Sequence, residues 1–155
     1  MRIQNFTKMD TDWLREVIRF VCPAGVSGFD IAFKNTSHGY RGMAYIDGCS
    51  YHASSMRAKG KRASHTTPFV TIGIDRRRTD SKWTKPIHTN GGNGYLPIDI
   101  YSNEEAIVLY VAHELRHLWQ RRVKKGYRVW GARGQYSERD ADSYGLRMLR
   151  AWRRR

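Results

Sequence analysis

The chain has 155 residues and a formal net charge of +14 at pH 7, with 28 Lys and Arg against 14 Asp and Glu. That length suits one domain, residues 1–155, with a hydrophobic core that needs no staples. No apolar run approaches the roughly 20 residues of a membrane helix, Met1 to Phe6 lacks the apolar core of a secretory leader, and Cys22 and Cys49 form no C-x-x-C motif. The expectation is a cytoplasmic domain with two buried free thiols.

From the N-terminus, Thr11 to Val21 sets Trp13, Val17, Ile18 and Val21 on one side of a helix. Short strands are expected near Phe29 to Phe33, Gly42 to Ile46, and Phe69 to Ile74 after Pro68. Thr89 to Gly94 is turn chemistry, and no Gly-Lys-Ser/Thr follows it, which excludes a phosphate-binding loop. Leu96 to Tyr101 is strand-like and closes a small mixed β-sheet region of about residues 25–101. The chain has no internal repeat and no clear linker.

Asn103 to Lys125, about 103–125, reads as one long helix. Ser102 or Asn103 can cap it, and Glu104 and Glu105 put negative charge at its N-terminus, where the helix dipole favours it. Ile107, Val108, Val111, Leu115, Leu118 and Trp119 cover more than one side, so the helix is expected to be buried. Within it lies His113-Glu114-Leu115-Arg116-His117. Residues i and i+4 share a helical face, so both imidazoles can reach one ion, and Glu114 lies close enough to act on a water at that ion.

A second helix, about 137–152, is expected with Ser137 as its cap. Glu138 and Asp142 share a face at i and i+4, Ala141 leaves room for close packing, and Asp140 points off that face. Two His and one Glu with an open fourth position make a catalytic zinc set, whereas a structural site is closed by four protein ligands. Asp142 is then placed to accept the free N–H of a ligating imidazole.

His113-Glu114-x-x-His117 followed by Glu138-x-x-Ala141-Asp142 resembles the gluzincin metallopeptidases. The second half is similar to the E-x-x-A-D of membrane CaaX-processing peptidases and of intracellular ImmA/IrrE-type peptidases. The resemblance covers the last third of the chain. It implies one Zn²⁺ held by His113, His117 and Glu138, with Glu114 as general base and Asp142 as partner of a ligand histidine. It also implies a zincin-like α+β fold: N-terminal helix, small sheet, active-site helix and glutamate helix. A SprT-type pattern fits less well, because no third histidine follows His117.

The expected activity is zinc-dependent hydrolysis of peptide bonds in a peptide or protein substrate, as an endopeptidase rather than an exopeptidase. The strand before the active-site helix, or Val70 to Ile74, is expected to edge the cleft and take an extended substrate as an added strand. A neutral donor steadying the oxyanion contributes about 3 to 4 kcal/mol. Its candidates are Tyr127, Tyr136, Tyr144, His65 and His88. Basic clusters at Arg57 to Arg62, Arg76 to Arg78, Arg121 to Lys125 and Arg153 to Arg155 suit non-specific contact with nucleic acid. Two alternatives stay open: a DNA-associated protease, and a non-catalytic nucleic-acid-binding protein with a structural metal. Only the second has no use for Glu114.

Overall fold

The computed structural model of the chain describes residues 1–37, 39–45, 67–78, 87–89, 98–123 and 135–155. Among them, three helices accompany a four-stranded mixed sheet and a two-stranded one, an α+β arrangement. In chain order these are β1 (Arg2–Phe6), α1 (Thr11–Val21), β2 (Asp30–Thr36), β3 (Arg41–Tyr45), β4 (Phe69–Asp75), β5 (Ile87–Thr89), β6 (Ile98–Ile100), α2 (Asn103–Val123) and α3 (Gln135–Trp152).

Helix α1 begins where the Asp10 carboxylate accepts the Trp13 N–H at 2.7 Å, and it ends just before Pro23, which cannot continue it. Its buried face is Leu14, Val17, Ile18 and Val21, while Trp13 is only partly covered. The helix connects β1 to β2, which pair in parallel from Arg2 opposite Asp30 to Phe6 opposite Lys34. β1 was not expected from the sequence. It buries Gln4 and leaves Phe6 42% exposed, so the alternation that marks a half-buried strand is absent.

The large sheet runs β1-β2-β4-β3, with β4 parallel to β2 and β3 antiparallel to β4. β4 is central, which explains its almost continuous apolar sequence, Phe69-Val70-Thr71-Ile72-Gly73-Ile74. This corrects one of the two expected cleft edges. Val70 to Ile74 is paired on both sides, and β6 is paired with β5 in the separate ribbon. Among the described strands, the edge strand that packs on α2 is β3.

Alternate residues of β2 and β4 (Ile31 and Phe33; Val70, Ile72 and Ile74) join Leu14, Val17 and Ile18 of α1 and Ile107, Val111 and Leu115 of α2 in one core. Each fully buried Leu, Ile or Phe contributes about 1.5–3 kcal/mol by leaving water. α2 starts at Ser102, whose Oγ accepts the Glu105 N–H at 3.1 Å. The helix packs on β3, β4, α1 and α3, and its buried residues occupy more than one side, as expected. α3 begins at Gln135, two residues before the expected cap, so Ser137 lies buried within its first turn. Ala141 is fully buried, and a Cβ added at Gly145 would stand 3.0 Å from Leu109 Cδ1 and 3.2 Å from the Leu109 carbonyl oxygen. These two small residues, one turn apart, let α3 approach α2 closely.

Candidate metal centre

The close approach of α2 and α3 brings three side chains together. His113 and His117 project from successive turns of α2, with Nε2 atoms 3.1 Å apart. Glu138 reaches in from the first turn of α3, with one carboxylate oxygen 3.2 Å from His113 Nε2 and the other 3.5 Å from His117 Nε2. One ligand atom from each residue falls within 4.8 Å of the others, and the group could bind a metal ion. The donor set, two imidazole nitrogens and one carboxylate, suits a divalent cation.

Asp142, one turn beyond Glu138, accepts from His113 Nδ1 at 2.8 Å and is buried. Sequence spacing put it on the ligand face, and that is where it lies. Burial disfavours the His113 cation, but hydrogen bonds to Asp142 and Glu138 outweigh it and raise the ring to about 10 in the metal-free chain. Burial likewise works against the Glu138 carboxylate. The hydrogen bond from His113 and the close approach of His117 nevertheless hold it well below the usual carboxylate range.

Glu114 is buried beneath β3, with Oε1 3.9 Å from His113 Nε2. Burial pushes its carboxyl up, and the neighbouring histidines and a backbone hydrogen bond from Ala44 partly oppose that rise. Gly42 makes room for it: a Cβ there would fall 2.4 Å from Glu114 Oε1 and 2.6 Å from its Cγ. Gly42 and Ala44 are alternate residues of β3 and so face α2 together. Neither was singled out in the sequence, because a strand residue's worth to a helix residue about seventy positions away leaves no local pattern.

Gln120 was also missed. Its Oε1 lies 3.0 Å from His117 Nδ1, while its Nε2 donates to the Ser137 carbonyl and to Asp140 Oδ2, each at 2.8 Å. Asp140 does turn away from the ligand face, as expected, but toward α2 rather than solvent. It also takes two hydrogen bonds from Arg116, at 2.8 and 3.0 Å. Its removal is therefore not the neutral change that helical geometry alone suggests.

Of the oxyanion candidates, Tyr144 is buried and donates its hydroxyl to the Val21 carbonyl at 2.8 Å, tying α3 to the end of α1. Tyr136 is 50% exposed in the first turn of α3. His88 lies in β5 with its side chain outside the described set, and His65 and Tyr127 lie outside the described residues. So do Cys49, Arg57 to Arg62, Lys124 and Lys125; Cys22 is a half-buried free thiol. Each described basic cluster gives at least one arginine to internal ties: Arg77 to Asp75, Arg122 to the Ser27 carbonyl, Arg153 to Glu105 and Arg155 to Glu16. Among the described residues no helix is long and apolar enough to cross a membrane.

No protein-family model, curated protein or solved structure matches the chain. The centre is therefore defined by its own geometry, a His113, His117 and Glu138 group able to hold a metal ion, with a buried carboxylate alongside.

Proposed function

We propose that the chain is a zinc-dependent metallopeptidase with a zincin-like fold, its ion held by His113, His117 and Glu138. The observation that carries this reading is Glu114, a buried carboxylate set beside a three-ligand group. A structural metal gives no reason to bury a carboxylate there; hydrolysis does. Zinc is supported by the donor set, two imidazole nitrogens and one carboxylate on two helices.

Zinc in such a set acidifies a water and polarises a scissile carbonyl. Glu114 takes the proton of the attacking water and returns it to the leaving amine, work that a carboxyl raised by burial does better than an ordinary one. The Ala44 N–H holds that carboxylate, and Gly42 leaves it space. Among the described residues β3 is paired on one side only, so its outer edge can take an extended peptide as an added strand.

The test is metal analysis followed by digestion of a denatured protein, with and without chelator. About one zinc per chain and chelator-sensitive cleavage are expected. Glu114→Gln keeps the shape but not the base, so zinc stays while cleavage falls by about 10²–10⁴. A folded, never-chelated chain with no zinc, or a Glu114→Gln variant cutting at the parental rate, overturns the reading.

A further inference from the structure

The two ligand histidines are supported differently. His113 Nδ1 faces the carboxylate of Asp142, whereas His117 Nδ1 faces the amide of Gln120. An amide can present either an oxygen or an NH₂, and the choice decides which nitrogen of His117 carries its proton. The surroundings of Gln120 settle that choice. One end of the amide lies 2.8 Å from two groups that can only accept, the Ser137 carbonyl and the Asp140 carboxylate. The NH₂ must point there, so Oε1 points at His117, and His117 must donate through Nδ1.

We infer that Gln120 is a positioning residue that fixes His117 as its Nδ1–H tautomer, leaving the Nε2 lone pair facing His113 Nε2 at 3.1 Å. Free imidazole side chains favour the opposite tautomer, with the proton on Nε2, which would block the ligand nitrogen. Asp140 takes part at one remove: held by two hydrogen bonds from Arg116, it keeps the amide from turning over. Ser137, read from the sequence as a helix cap, contributes instead the backbone oxygen that fixes the amide. The chain thus prepares its second histidine for metal before any ion arrives. The purpose assigned to Gln120 rests on the metal reading, but the tautomer does not depend on it.

Histidine side-chain ¹⁵N NMR of the 155-residue, metal-free chain in alkaline buffer tests this directly, because protonated and unprotonated ring nitrogens resonate far apart. His117 is expected to carry its proton on Nδ1. Gln120→Met, similar in length but without the acceptor, should mix the tautomers and weaken binding of Zn²⁺, titrated alone against a chelator, by about 10- to 100-fold. A proton on Nε2 of His117 in the unmodified chain overturns the inference without any variant. So does a folded Gln120→Met chain with unchanged tautomer and zinc affinity. A chain that binds no zinc yet shows Nδ1–H loses the metal reading and keeps the role of Gln120.

Discussion

At Gly42 a single added methyl group is expected to displace Glu114 while sparing the fold. The Gly42 backbone is ordinary extended strand, so alanine fits its conformation, yet the new Cβ would overlap Glu114 at 2.4–2.8 Å. Gly42→Ala is expected to leave zinc content and thermal stability close to parental while cleavage falls by about tenfold or more, as for a displaced general base. Retained cleavage would mean that Glu114 has another place to act from. The acids of α3 separate in a different way. Glu138→Ala removes a ligand and should release most of the zinc, while Asp142→Ala removes only the acceptor behind His113 and should weaken metal binding by about 10- to 100-fold. Zinc titration orders the two, and an Asp142 variant losing more metal than the Glu138 variant would exchange their roles. His113, Glu114, His117, Glu138 and Asp142 were legible in the sequence because helical periodicity converts spacing into a shared face. Gly42, Ala44 and Gln120 act across elements, where spacing has nothing to say.

The pairing of α2 with α3 brings His113, His117 and Glu138 together, and Gly145 packs against Leu109 in it. Replacing a mid-helix glycine by alanine ordinarily stabilises by about 0.5–1 kcal/mol. Here the Cβ would meet a helix carbonyl oxygen at 3.2 Å, and that oxygen cannot yield without moving the helix. Gly145→Ala should therefore show no gain in melting temperature and weaker zinc binding, because α3 carries Glu138 outward as it shifts. A stabilised variant with parental zinc affinity would show the interface to be compliant. α1 and α2 were read within a residue or two because strong apolar patterns and polar caps mark them. β1 was lost because a buried glutamine and an exposed phenylalanine reverse the pattern of a half-buried strand. The edge position of β3 was lost for another reason. Order in a sheet is decided by pairing between distant segments, Arg41 opposite Gly73 through Tyr45 opposite Phe69, and those partners do not announce each other.

For the molecule as a whole, an ion at this site joins two helices and so belongs to the stability of the fold. Free zinc at about a hundred times its dissociation constant adds about 2.7 kcal/mol, worth about 5–10 °C in melting temperature for a chain of this size. Acidity should separate the two forms. With His113 raised to about 10 in the metal-free chain, its ionised contacts stabilise the fold fully below the ordinary 6.5 and are lost as pH rises through 10. Zinc must displace that proton, so its binding tightens over the same interval. Calorimetry between about pH 6.5 and 10 should therefore show the chelated protein losing stability while the zinc-induced increment grows. An increment that shrinks across that range would place the ion elsewhere. Glu138, finally, comes from the last described element in the chain order, long after the two histidines and Glu114. Chains emerge from the ribosome N-terminus first. A nascent chain that has not yet made α3 holds both imidazoles and Glu114 but no Glu138, and completion of the three-residue group is thereby timed to follow synthesis of every other described element.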